Sequence, residues 1–319
     1  MSSPQVSIII PVYNRPGLIL DAAASALSEG SRLSCEVIVV DDASTDETWR
    51  VLSGLGDSIR AVRQPENGGQ CAARNSGIAL ARGKYVKFLD SDDLLAPGHL
   101  AEEVACAESE GADIVVSGWT TRATNGTIRE WDAPRFEAIV DDVLAGRAVP
   151  TSAALYRTSQ CTRWDPALRK LDDWDFFCQN ALRAARIATE PGSAYCMRDH
   201  SGSRQSGTSM LANALEHHAI LRKIEAHLAS GGLLTEARRR RLAQYYYKEM
   251  RVLSLFDREA FDGGMRHIFE LDPRFRPVDE ESQRWMRVAA RVLGPRRAIL
   301  IHSGTKKLVR KMLHRPLAT

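Results

Sequence analysis

The sequence predicts an α/β fold: an open, mostly parallel sheet flanked by helices, with a C-terminal helical extension. Three observations predict it. Unbroken β-branched runs such as "VSIIIPVY" (6–13) and "CEVIVVDD" (35–42) look like strands buried on both faces, as parallel strands are. Such runs alternate with helical patterns as far as residue 119, the order that right-handed crossovers produce. From about residue 209 onward every segment reads as helix.

Taken in order, the first strand (6–13) precedes a helix that Pro16 opens and that runs through Leu18, Leu20, Ala23 and Leu27 to Gly30. The second strand (35–42) leads into a helix for which Ser44 or Thr45 is the expected cap. "IRAVRQP" (59–65) is a third, weaker strand, and "NGGQCAARNSGIALARG" is a turn and then a helix. "KYVKFLDSDD" (84–93) is a fourth strand, followed by a helix with Pro97 in its first turn; "ADIVVSGW" (112–119) is a fifth. Beyond it, "VPTSAALYRTS" (149–159) and "SAYCMR" (193–198) read as strands flanking a helix near 172–186. Helices are expected at 209–230, 235–256, 258–270 and 279–292, then a basic amphipathic segment, "TKKLVRKMLHR" (305–315). The Gly/Ser-rich "HSGSRQSGTS" (200–209) reads as a hinge, so the expected domains are 1–205 and 206–319.

Composition narrows the function classes. With 319 residues, 44% hydrophobic and 26% charged, the chain reads as an ordinary globular protein with room for one large domain or two modest ones. Its net charge of +3 hides an asymmetry: residues 1–205 carry 21 Lys and Arg against 28 Asp and Glu, and residues 206–319 carry 22 against 12. The acidic front half and the lack of any recognisable module argue against nucleic acid as a partner. Cys35, Cys71, Cys106, Cys161, Cys178 and Cys196 are scattered, which fits reduced thiols in a cytoplasmic setting and neither a disulfide framework nor a zinc site. Met1–Gln5 runs straight into a strand, which leaves no room for a signal peptide, and no apolar run approaches the ~20 residues of a membrane span.

In an open α/β sheet, ligands bind at the carboxyl ends of the strands. Asn14, Asp41 and Asp42, Glu66 and Asn67, and Asp90 to Asp93 stand at those ends. Each cluster alone reads as turn and cap chemistry, which Asp favours. Their convergence on one edge points to a ligand. Carboxylates as close as Asp90, Asp92 and Asp93 raise one another's pKa unless something positive lies among them, so they form either a solvated turn or a cation site. Asp90 and Asp92, two apart across a turn, can aim at one cation, and their hard oxygens suit Mg²⁺ or Mn²⁺. "ENGGQ" could offer backbone amides to a phosphate. It matches neither G-x-x-x-x-G-K-[ST] nor G-x-G-x-x-G, which removes the ATPase and dinucleotide-dehydrogenase readings. The acids of "LDDWDFF" (171–177), read alone, suit a helix N-terminus.

"SIIIPVYNRPG", "VIVVDDASTDET", "NGGQCAARNSGIALARGKYVKFLDSDD" and "LDDWDFFCQNAL", in this order, resemble the motif series of family-2 glycosyltransferases with the GT-A fold, over roughly residues 5–205. The resemblance implies an inverting, metal-dependent transfer of a sugar from a nucleotide-sugar, expected to be UDP-linked, to a hydroxyl of a cell-surface glycan or lipid-linked saccharide. By the same resemblance Asp42, with Asp41, hydrogen-bonds the base and ribose beside Pro11, Tyr13 and Asn14, while Arg74 and Asn75 order the nucleotide pocket. Asp90-Ser91-Asp92 is then the D-x-D, with Asp92 on the Mn²⁺ or Mg²⁺ and Asp90 at the ribose or a metal-bound water. Asp173 is the implied catalytic base and Asp172, where the family more often has Glu, the acceptor ligand or orienter. His200 corresponds to a histidine that helps the metal or diphosphate, although "CMRDH" departs from the commoner Y-R-x-H.

Blander readings stand beside these. Arg74 reads equally as a buried ion pair to one of the carboxylates, and Trp119, Trp164 and Trp174 as a sugar-stacking surface or as plain core. A sugar nucleotidyltransferase would need a Gly-rich basic loop after the first strand, which "PVYNRPG" does not supply. A non-catalytic nucleotide-sugar-binding homologue is opposed by the presence of both Asp92 and Asp173. In the rear of the chain, residues 291–319 hold eight Lys and Arg and no acid. That pattern reads as a solvated face or as contact with an anionic membrane surface, placing the protein in the cytoplasm, peripheral on the inner face of the cell membrane. No sequence feature bears on oligomeric state.

Overall fold

A computed structural model of the chain describes residues 3–199, 210–253 and 258–276. His200, the 200–209 hinge, the 279–292 helix and the basic 305–315 segment lie outside the described residues. The chain divides into two compact units, Met1–Gln205 and Ser206–Thr319.

In the first unit, four parallel strands form half of a nine-stranded sheet: β1 (Val6–Val12), β2 (Cys35–Asp41), β3 (Arg60–Arg63) and β4 (Tyr85–Phe88), in the spatial order β3-β2-β1-β4. All seven residues of β1 are buried, which is why the strand reads as an unbroken apolar run. The sheet continues from β4 through β8 (Ala154–Arg157), β6 (Ile114–Arg122), β9 (Ile187–Arg198) and β5 (Leu94–Leu95). There β8 runs antiparallel to both its neighbours, β6 and β9 are parallel, and β5 is antiparallel to β9. An exposed strand, β7 (Ile128–Trp131), pairs antiparallel with β6. The predicted sheet is thus parallel through its N-terminal half and mixed beyond β4.

Six helices accompany this sheet among the described residues: α1 (Leu18–Ser28), α2 (Thr48–Ser53), α3 (Gln70–Leu80), α4 (His99–Glu110), α5 (Ile139–Val143) and α6 (Asp172–Ala181). Several expected boundaries move: Pro97 precedes α4 and does not lie in its first turn, the strand expected at 193–198 begins at Ile187, and the helix expected near 172–186 ends at Ala181. Ser44 and Thr45 do not cap α2, which starts only at Thr48; instead Ser44 Oγ accepts the N–H of Asn14 at 2.9 Å, and Asn14 Oδ1 accepts that of Thr45 at 2.8 Å. The strand expected over 149–159 is shorter, because a 3-10 turn at Thr151–Ala153 follows Pro150. That turn matters below.

Register sorts the two faces of the sheet. Ile9 of β1 pairs with Phe88 of β4, while Ile8 pairs with Lys87 and points the other way. On the Ile9 face, α3 comes so close that a Cβ on Gly77 would lie 2.3 Å from Ile9 Cγ2, which explains a glycine in mid-helix. Phe88 there meets Trp164 and Phe176, whose rings stack at 3.9 Å. On the opposite face the fully buried Lys87 Nζ donates to both carboxylate oxygens of Glu103 on α4, at 2.8 and 2.7 Å, and Ser117 Oγ donates to the same carboxylate. Burial pulls the Lys87 ammonium below the usual lysine range, with Glu103 opposing.

The second unit holds α7 (Met210–Ser230), α8 (Glu236–Leu253) and α9 (Arg258–Leu271). Its core is built at helical spacing from Leu221, Ile224 and Leu228, from Leu242, Tyr246 and Met250, and from Phe261, Met265 and Ile268. Among its described residues, Glu225 lies 2.8 Å from Tyr246 Oη, which donates to it, and 2.7 Å from His267 Nε2.

Candidate active site

Parallel register aligns the carboxyl ends of β3, β2, β1 and β4, with Val12 opposite Asp41 and Asp41 opposite Arg63. Two residues just beyond these ends, Asn14 and Ala43, sit at φ 51 and φ 57. That left-handed region costs a side-chain-bearing residue roughly 1–2 kcal/mol, and such strain concentrates at functional sites. Asn14 is held there by the hydroxyl and amide of residues 44 and 45, Tyr13 beside it is exposed, and Pro11 lies buried within β1.

Both acids at the end of β2 are buried. Asp41 is ion-paired to Arg63 Nε at 3.2 Å and accepts the N–H of Ser44. Asp42 accepts from Gln64 Nε2 at 2.6 Å and from the N–H groups of Gly68 and Gly69 at 2.8 Å each. The "NGG" amides that sequence reading offers to a phosphate are therefore directed at Asp42. Gly69 has φ 84, a left-handed conformation that favours glycine. Glu66 and Asn67 are exposed.

Arg74, one turn into α3, is the centre of the arrangement. Its side chain is 1% exposed and makes three ion pairs: Nη2 to Asp90 Oδ1 at 2.7 Å, Nη1 to Asp172 Oδ2 at 3.1 Å, and Nη1 to Asp173 Oδ1 at 3.4 Å. Its guanidinium carbon lies 4.2 Å from the centre of the Trp164 ring. Surrounded by carboxylates, this guanidinium is held even more firmly in its charged form than usual, although burial opposes this. The buried-ion-pair reading of Arg74 is thus realised, to three carboxylates together. Asn75 faces elsewhere: its side chain accepts the N–H of Trp164 and donates to the carbonyl of the same residue. Trp164 is 2% exposed, so it serves as floor and core and offers no face to a sugar.

The two acids that open α6 differ. Asp172 is buried and accepts from Gln70 Nε2 at 2.6 Å as well as from Arg74. Asp173 keeps 45% of its side chain exposed and accepts from Thr151 Oγ1 at 2.7 Å, through the 3-10 turn that shortens β8. Its carboxyl is pushed up to about 6, by desolvation first and by the Asp172 and Asp90 carboxylates, against the pull of Arg74.

The turn after β4 is no open solvated loop. Ser91 and Asp93 are buried, Asp93 Oδ1 accepts the N–H of Arg198, and Asp92 Oδ2 lies 2.7 Å from Arg15 Nη1. Oxygens of Asp90, Asp92 and Asp93 lie within 4.8 Å of one another, a hard-oxygen donor set that fits Mg²⁺ or Mn²⁺. The structure thus brings Asp90, Asp172 and Asp173 together through Arg74, sets Asp92 beside Asp90, and holds Asp42 at the neighbouring strand end. Sequence reasoning missed Arg15, Gln64, Gln70 and Thr151. Arg15 was signalled by its place directly after Asn14 at a strand end; nothing in "VPTSAAL" marks Thr151.

Residues 7–160 match the sequence pattern described as "Glycosyl transferase family 2". The chain is 29% identical over 219 residues to "Succinoglycan biosynthesis protein ExoO" of Rhizobium meliloti, covering 63% of this chain and 62% of that one. It is 37% identical over 106 residues to "UDP-Glc:alpha-D-GlcNAc-diphosphoundecaprenol beta-1,3-glucosyltransferase WfaP" of Escherichia coli, covering 33% of this chain and 42% of that one. The matches therefore span less than two thirds of these relatives. Among solved structures, S. aureus TarS 1-349 in complex with UDP-GlcNAc superposes with a TM-score of 0.68 at 18% identity, over 95% of this chain and 92% of that one. This likeness confirms the GT-A-like fold.

Proposed function

We propose that the chain, whose residues 7–160 match the pattern of glycosyl transferase family 2, is an inverting glycosyltransferase with a UDP-sugar donor and a glycan or lipid-linked saccharide acceptor. The observation that carries this reading is Arg74, whose single buried guanidinium binds Asp90 on one side and Asp172 and Asp173 on the other. A donor held at the D-x-D and an acceptor held at α6 therefore meet at one place. The names of the relatives support the substrate classes: one is a UDP-glucose-dependent enzyme with a diphosphoundecaprenol-linked acceptor, and one belongs to succinoglycan biosynthesis.

In this reading Asp42 and Asp41 receive the base and ribose, beside Pro11, Tyr13 and Asn14. Asp92 and Asp90, with Asp93 close by, hold a divalent cation, Mn²⁺ or Mg²⁺, which when bound offsets the charge of the diphosphate. Arg74 keeps the acidic groups in place, and Asn75 fixes the Trp164 backbone beneath it. Asp173 is the base: it is open to an incoming hydroxyl, and its raised pKa makes it a better proton acceptor than an ordinary carboxylate. The acceptor oxygen bonds to the anomeric carbon as the bond from that carbon to the diphosphate oxygen breaks. The electron pair leaves with the diphosphate, and the hydroxyl proton passes to Asp173. One displacement inverts the configuration.

Incubation with a panel of nucleotide-sugars, acceptor saccharides and Mn²⁺, scoring release of nucleoside diphosphate, tests the proposal. Release with a UDP-sugar supports it. Thermal stabilisation by the donor without release points to a binding protein, and pyrophosphate formed from a nucleoside triphosphate and a sugar phosphate points to a nucleotidyltransferase.

A further inference from the structure

Arg15 connects the end of β1 to the end of β4. Its backbone N–H donates to Thr48 Oγ1 at 2.9 Å, which pins the main chain to α2. Its side chain crosses to the D-x-D turn, where Nη1 lies 2.7 Å from Asp92 Oδ2 and 3.4 Å from Ser91 Oγ. Arg198 Nε also reaches this turn, donating to the Asp92 carbonyl at 2.7 Å, but the two guanidiniums paired to its carboxylates among the described residues differ in freedom. Arg74 is 1% exposed and fixed by three carboxylates, whereas Arg15 keeps 26% of its side chain exposed.

A divalent cation coordinated by Asp92 draws on the carboxylate that Arg15 already engages. On the oxygen that Arg15 engages, Asp92 Oδ2, the two cations would repel one another at contact distance. Building on the cation reading given under Proposed function, we propose that Arg15 is a displaceable counter-ion, which exchanges with the divalent cation on Asp92 and then pairs with the diphosphate. The pinned backbone keeps the released guanidinium at the site, and its planar fork suits phosphate oxygens. Metal alone must expel Arg15 into water. Metal arriving with a diphosphate gives it a new anionic partner, so the two ligands bind with positive coupling.

The test uses the full chain with Arg15→Met and, as the conservative variant, Arg15→Lys. Mn²⁺ is titrated alone, following free Mn²⁺ by electron paramagnetic resonance, and again with saturating inorganic pyrophosphate. Arg15→Met is expected to bind Mn²⁺ alone roughly three- to tenfold more tightly than wild type, the scale of a half-buried ion pair. It is also expected to gain less affinity from pyrophosphate, with Arg15→Lys between the two. Damage to the fold weakens metal binding, so a gain cannot come from misfolding. Unchanged or weaker Mn²⁺ binding by Arg15→Met overturns the proposal. Tighter Mn²⁺ binding in a protein that turns over no nucleotide-sugar leaves it standing and sinks the functional reading instead.

Discussion

Asp172 and Asp173 are neighbours in sequence with opposite surroundings, and their substitution separates their roles. Asp173 is open and hydrogen-bonded by Thr151, while Asp172 is buried under Gln70 and Arg74. Asp173→Asn is expected to keep nucleotide-sugar affinity and lower turnover by roughly 10²–10⁴-fold. Near wild-type transfer by this variant would place the base elsewhere. The pH profile gives an independent reading of the same residue. The base works deprotonated, and its pKa is raised to about 6. Turnover should therefore fall about tenfold per unit as pH drops below this value, whereas an ordinary carboxylate would hold activity to near pH 4. Initial rates between pH 4.5 and 8 distinguish the two, and Asp173→Asn should lack the acid limb.

At the scale of elements, β4 carries the D-x-D on its far end and a buried charge in its middle. Lys87 and Glu103 fix β4 against α4, and both are fully buried. Lys87→Met leaves Glu103 buried and unpaired, at an expected cost of about 3–5 kcal/mol in urea unfolding. Lys87→Met with Glu103→Leu should recover most of that loss, since replacing both charges by apolar groups is often close to neutral. If the double variant is no more stable than the single, the pair does more than neutralise itself. The turn ahead of β8 shows how little local sequence says about such placement. "VPTSAALYRTS" reads as one strand, and only the 3-10 turn after Pro150 aims Thr151 at Asp173.

At the scale of the whole molecule, the charge asymmetry between the two units remains the main unassigned feature. No helix among the described residues is long and apolar enough to cross a membrane. The eight basic residues of 291–319 lie outside the described residues, and they motivate a peripheral association with anionic lipid. Truncation after Gly294 is expected to leave transfer to a soluble acceptor intact and to abolish sedimentation with anionic liposomes. Equal sedimentation of the truncated protein would refute that association.

The sequence by itself determined the parallel strands, the order of the helices and the identity of the acids at the strand ends. Each of these follows from local chemistry: β-branched runs exclude water on both faces, and carboxylates are placed where strands stop. Tertiary structure alone decided which groups pair. Arg74 was legible as a candidate, yet its three partners come from positions 90, 172 and 173, and register across β1 and β4 with the docking of α6 brings them to one guanidinium. The surroundings of Asp90–Asp93 were set in the same way. These acids meet Arg15, just past β1, and Arg74 of α3, because parallel register sets the ends of β1 and β4 side by side.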